Sequence, residues 1–129
     1  MDSTDLATVS LFANLTAKDR ERVANQMREI RLPEGEVITE QGDLSFKFFV
    51  LLEGTASVTK SGRQVDDLRT GDFFGEEGIL EKQHRNAEVR TTSPVRLAVL
   101  ASWDFRTLLD EFPKIRYQVQ QARQRRTES

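Results

Sequence analysis

The sequence predicts a mainly β fold with α-helices at both ends, and three observations predict it. Between Pro33 and Leu100, short apolar runs alternate with glycine-bearing turns about every 7 to 12 residues. Before Pro33 the apolar residues recur at helical spacing. Beyond Leu100, Ser102 and Pro113 each stand where a helix can begin.

In chain order, Leu11, Phe12, Leu15, Val23, Met27 and Ile30 share one helical stripe. Thr16 is placed to cap a helix whose first turn holds Asp19, so the spacing predicts a helix over residues 17–29. Pro33-Glu34-Gly35 ends it. The runs Val37–Thr39, Phe46–Leu52, Thr55–Lys60, Gln64–Leu68, Ala87–Thr92 and Val95–Leu100 then read as strands, punctuated by Gly42, Gly54, Gly62 and Gly71. Such a series favours a barrel or sandwich over a parallel sheet, with Ser61-Gly62 as a hairpin tip.

Ser102 is expected to cap a helix from Trp103 to Glu111, with Phe105, Leu108 and Leu109 inward and Trp103 as a packing aromatic. Pro113 ends that helix and opens another, over residues 114–126, whose stripe is Ile115, Val119 and Ala122. The rest of that helix is mostly Gln and Arg. Cations suit a helix C-terminus, so this end reads as a solvated one.

Composition narrows the function. A chain of 129 residues fits one domain, residues 1–129, with a core over about 10–112 and a terminal helix over about 113–126. No cysteine is present, which removes disulfides and thiolate chemistry and suits the cytoplasm. The start, MDSTDLATVS, does not read as a signal peptide, and no stretch approaches the roughly 20 apolar residues of a membrane span. With 19 basic and 21 acidic residues, the overall charge draws the chain to neither nucleic acid nor anionic lipid. A DNA-reading module would need about 60 further residues, so direct DNA binding is not expected.

The stretch that carries chemistry is Gly71-Asp72-Phe73-Phe74-Gly75-Glu76-Glu77-Gly78-Ile79-Leu80, followed by Arg85-Asn86-Ala87-Glu88-Val89. Gly75 and Gly78 around two glutamates suggest a tight turn opening a helical turn, which presents free backbone N–H groups to an anion. Arg85 lies nine residues past Glu76 and can clamp a phosphate with its planar fork. A carboxylate beside an anion site requires a ligand that also brings hydroxyl donors. A ribose phosphate does.

Phe74-Gly75-Glu76, then Leu80, then Arg85-Asn86-Ala87 resembles the phosphate-binding cassette of cyclic-nucleotide-binding domains, with the kinase regulatory subunits' spacing and no gap. The resemblance extends through Leu11-Phe12-x-x-Leu15-Thr16, Pro33-x-Gly35-Glu36-Val37-Ile38, Gln41-Gly42-Asp43, Phe49-Val50-Leu51 and Glu53-Gly54. It implies an eight-stranded jelly-roll-like β-roll, a double-stranded β-helix, with flanking helices and a cyclic nucleotide, cAMP in preference to cGMP, held against the cassette. It also implies that Glu76 accepts the ribose 2′-hydroxyl and Arg85 pairs with the cyclic phosphate. The N–H groups of Gly75, Glu76 and Ala87 would complete the cradle, with Asn86 touching the phosphate and Gly54 at a structural turn. Tyr117, Ile115 or Val119 is the candidate cap over the base.

The cassette departs from the family pattern at Glu77, Gly78, His84 and Asn86, which predicts a looser cassette helix and weaker affinity. An enzyme is the rival reading. A cupin-type metal site needs several histidines and this chain has only His84, while adjacent Glu76 and Glu77 would point apart. No metal or cofactor is expected, and the expected role is regulation without catalysis. A second rival is a ligand-free interaction module of the same fold. The expected partners are the cyclic nucleotide and an effector protein or a second copy.

Overall fold

The computed structural model describes residues 1–39, 47–81 and 87–128. Among them, eight strands form two four-stranded sheets, flanked by helices at both ends. The strands are β1 (Arg28–Leu32), β2 (Val37–Thr39), β3 (Lys47–Glu53), β4 (Ala56–Lys60), β5 (Arg63–Leu68), β6 (Phe73–Phe74), β7 (Glu88–Thr91) and β8 (Val95–Ala101). One sheet runs β1-β8-β3-β6 and the other β2-β7-β4-β5, and every pairing is antiparallel. The predicted mainly β class with flanking helices is the observed one.

The apolar runs of β3 and β8 are continuous because both strands are covered on both faces. Side chains alternate across a sheet, so Phe48 and Val50 of β3 enter one apolar cluster while Phe49 and Leu51 enter another. On β8, Ala98 and Leu100 face the first, and Val95, Leu97 and Val99 the second. The first cluster is shared with the helices; the second lies between strands of the two sheets. Each fully buried large apolar side chain contributes about 1.5–3 kcal/mol relative to an exposed one.

The helices are α1 (Thr4–Ala7), α2 (Ala17–Gln26), α3 (Glu76–Glu81), α4 (Ser102–Glu111) and α5 (Pro113–Glu128), with a 3₁₀ turn at Ser10–Phe12. The Thr16 hydroxyl accepts from the Asp19 N–H at 3.1 Å, the predicted cap. The predicted extent of this helix to Glu29 is corrected. Met27 is already extended and Arg28–Leu32 pairs with β8, because Arg-Glu-Ile-Arg-Leu also carries a period-2 pattern whose Ile30 and Leu32 pack on the inter-sheet cluster. Leu11 and Phe12 are buried from the 3₁₀ turn rather than from a helix continuous with α2.

Two further expectations at α4 are corrected. Ser102 is the first helical residue, and Ala101 occupies the cap position without a side-chain hydrogen bond. Trp103 is 70% exposed, since the inward stripe runs through Phe105, Leu108 and Leu109 and a residue two before Phe105 points away from it. The Ser61-Gly62 tip is as predicted. Lys60 faces Arg63, and both central residues have positive φ, 51° and 79°, the type I′ geometry that matches strand twist. Gly42 and the predicted strand start at Phe46 lie outside the described residues.

Gly54 shows why one turn admits only glycine. Its φ is +100°, and a Cβ built there would lie 2.4 Å from the Pro94 carbonyl oxygen and 2.8 Å from Val95 Cγ1. The β1 edge is tied to the N-terminus by charge. Arg96 on β8 bonds Glu29 on β1 and Asp5 on α1, the latter at 3.0 Å. The hydrogen bond from Arg96, and then that from Arg31, holds the Glu29 carboxyl below its ordinary pKa. None of the helices among the described residues is long and apolar enough to cross a membrane.

Candidate functional site

The candidate site begins where β6 hands over to α3. β6 is short because it is an edge strand paired to β3 through only Phe49↔Phe74 and Val50↔Phe73. Its position is set by a turn: Gly71 N–H donates to the Leu51 carbonyl at 2.7 Å, and Leu51 N–H to the Asp72 carbonyl at 2.8 Å. Asp72 also accepts from the Arg69 N–H through its carboxylate at 2.9 Å. Stacking of Phe74 on Phe49, centroids 4.9 Å apart, fixes the residue before the turn.

Gly75 has φ +95°, a conformation that side chains other than glycine's rarely adopt, and it redirects the chain from β6 into α3. The next residue, Glu76, opens that helix and is 1% exposed. A carboxylate taken out of water at a turn is costly unless donors meet it. Sequence reasoning anticipated the turn and a single helical turn; the helix runs six residues, Glu76–Glu81.

Ala87, also a predicted site residue, is buried immediately before β7. Gly75 and Glu76 thus follow the edge of one sheet, while Ala87 enters the middle of the other, between β2 and β4. Arg85 and Asn86, with His84, lie outside the described residues. Of the three candidate caps, Ile115 and Val119 are buried in the helix-side cluster. Tyr117 is 62% exposed and lines a cleft with Asn14, Pro113, Lys114 and Gln118, none of them cassette residues.

The family description cyclic nucleotide-binding domain matches residues 29–112 of this chain, a span that includes α3, α4 and all of both sheets except Arg28 of β1. The chain belongs to the cyclic nucleotide-binding domain family. Among curated relatives of this family, a cAMP-dependent protein kinase regulatory subunit of Hypocrea atroviridis is 34% identical over 104 residues, which is 81% of this chain and 22% of that protein. A cGMP-dependent protein kinase of Caenorhabditis briggsae is 32% identical over 118 residues, 86% of this chain and 16% of that one. This cyclic nucleotide-binding chain thus spans less than a third of the length of either relative. Among solved structures, the regulatory domain of Toxoplasma gondii protein kinase A in complex with cAMP superposes with a TM-score of 0.83 at 26% identity, covering 95% of this chain and 48% of that one.

One residue at this cyclic nucleotide-binding fold's cassette escaped the sequence reading. Arg106, on α4, donates from Nη2 to the Ile79 carbonyl of α3 at 2.7 Å. Nothing in the sequence marks it, since a cation on the polar face of an amphipathic helix is ordinarily solvated.

Proposed function

We propose that this chain is a sensory domain that binds a cyclic nucleotide, cAMP in preference to cGMP, and signals occupancy without catalysing a reaction. The observation that carries the reading is Glu76, a buried carboxylate directly after a positive-φ glycine at the start of α3. The ribose 2′-hydroxyl is the donor it suits, and the N–H groups of Gly75, Glu76 and Ala87 suit the cyclic phosphate. Arg85 supplies the countercharge and Asn86 a further contact to the phosphate. The preference for cAMP is supported by the kinase regulatory subunit relative and by the cAMP-bound Toxoplasma neighbour. The cGMP-dependent kinase relative keeps cGMP as the competing ligand in any assay.

In this reading the cytoplasm is the compartment, and the output is an effector protein or a second copy reached through α4 and α5. Ligand binding orders the cassette and draws these helices toward it. A cap from Tyr117 fits such a movement, since its ring is already in solvent, whereas Ile115 and Val119 would have to leave the core. The departures at Glu77, Gly78, His84 and Asn86 favour a second reading, a ligand-free interaction module of the same fold.

Titration calorimetry with cAMP and cGMP, on the natural chain and on Arg85→Ala, separates the two. Micromolar or tighter binding is expected, weakened in Arg85→Ala by about 2–5 kcal/mol, the cost of truncating one partner of a buried charge pair. Silence with both nucleotides rejects the sensor in favour of the interaction module.

A further inference from the structure

A six-residue helix leaves most of its backbone groups without partners inside the helix, and its last four carbonyls must find donors elsewhere. The Ile79 carbonyl is among these four in α3, and the guanidinium of Arg106 meets it at 2.7 Å across the α3–α4 boundary. A cation there also complements the negative end of the helix. Among the described residues the Arg106 guanidinium enters no ion pair. The Ile79 side chain is buried in the same cluster as Phe105, Ile115 and Val119, so apolar packing and the charged hydrogen bond join the same pair of elements.

We propose that Arg106 is a positioning residue for the candidate site: it ties α3 to α4, so that Glu76 is held in place and a shift of either helix is felt by the other. Glu76 precedes Ile79 by three residues, less than one helical turn. A short helix clipped at its C-terminal half can still move as a rigid piece, and the clip decides what moves with it. By reciprocity, a ligand that fixes the Glu76 end stabilises the α4 position, and displacement of α4 weakens the ligand. The consequence for affinity rests on the cyclic-nucleotide reading, whereas the tie rests on the α3–α4 geometry alone.

The test uses the full chain as Arg106→Ala and Arg106→Lys beside the natural protein. Amide exchange is measured without ligand, followed by melting temperature and cAMP titration. In Arg106→Ala, exchange at Ile79–Glu81 is expected to quicken about tenfold while β3 and β8 are unchanged, and Kd for cAMP to rise about three- to tenfold, the net scale of one ordinary hydrogen bond. Arg106→Lys, which keeps a charged donor, is expected to recover most of both losses at an unchanged melting temperature. Natural exchange at α3 in Arg106→Ala overturns the tie. Quickened exchange with an unchanged Kd overturns the positioning role, as does a loss that follows a lowered melting temperature and that lysine does not rescue. If the natural protein binds neither nucleotide, the ligand reading fails by itself, and the exchange comparison alone decides the tie.

Discussion

The two apolar clusters on either side of the β1-β8-β3-β6 sheet are built differently. Between the sheets, Phe49, Leu51, Phe74, Val89, Leu97 and Val99 are carried by strands whose backbones are locked in hydrogen-bonded ladders. On the helix side, Phe12, Val23, Ile79, Phe105, Ile115 and Val119 come from separate helices that meet mainly through side chains. Ladders resist sliding, whereas helices joined by packing and isolated hydrogen bonds can shift at small cost. The candidate site straddles the difference, since Phe74 belongs to the inter-sheet cluster and Ile79, five residues later, to the helix-side one. In the proposed reading, a ligand at Gly75–Glu76 sits where the rigid part of the molecule meets the adjustable part.

The contrast is broken or sharpened most strongly by truncating one residue on each side. Phe105, stacked on Phe48 with centroids 4.3 Å apart, and Leu97 are both fully buried. Phe105→Ala is expected to lower stability by about 3–5 kcal/mol and Leu97→Ala by about 2–5 kcal/mol in urea denaturation. Only Phe105→Ala should also weaken nucleotide binding at temperatures where both variants remain folded, because it loosens the cluster that holds Ile79. Equal effects on binding would mean that the two clusters act as one unit.

A smaller effect tests the rigidity assigned to the strands. Gly54→Ala places a methyl against the Pro94 carbonyl at a positive φ, and a loss of about 2 kcal/mol or more in urea denaturation is expected. Since the obstacle is backbone rather than a flexible side chain, the strand turn itself must move. A near-neutral result would show that this part of the sandwich gives way more easily than its ladders imply.

The smallest effect concerns the edge that joins α1 to the sheet. Because Arg96 holds the Glu29 carboxyl below its ordinary value of 4.5, the folded state favours the ionised form more than the unfolded state does. That contribution is complete above the unfolded value and is lost as pH falls through the lower folded value. Glu29→Gln removes it. The fall in melting temperature of the natural protein below pH 4.5 is expected to be shallower in the variant. Asp5 and Glu53, which also face Arg96, remain in both proteins. Identical acid limbs would mean that this network does not help hold the N-terminal helix to the sheet.

Much of the fold was legible because local chemistry and tertiary need agreed. Val37–Thr39 is a strand with the predicted bounds, Ser61-Gly62 turns as a two-residue hairpin must, and Thr16 caps the helix that it precedes. Reading failed where two periodicities overlapped, at Met27–Leu32, and where a two-residue strand was too short to carry any pattern, at Phe73–Phe74. At the site, Gly75 and Glu76 were legible because a glycine before a carboxylate in a β context is a local signal. Arg106 was not, because its partner is a main-chain carbonyl 27 residues away, and every residue type has one.

By itself, the sequence determined the mainly β class, the flanking helices, the glycine turn at Gly75 and the carboxylate that follows it. These follow from spacing and from the conformations that each residue type permits, which act within a few residues. Only the tertiary structure decided that Glu76 is buried, that Trp103 is exposed, that Gly75 follows a strand of one sheet while Ala87 precedes a strand of the other, and that α4 reaches α3 through Arg106. Those outcomes depend on which distant surfaces meet, and the packing of a whole core settles that rather than any local preference.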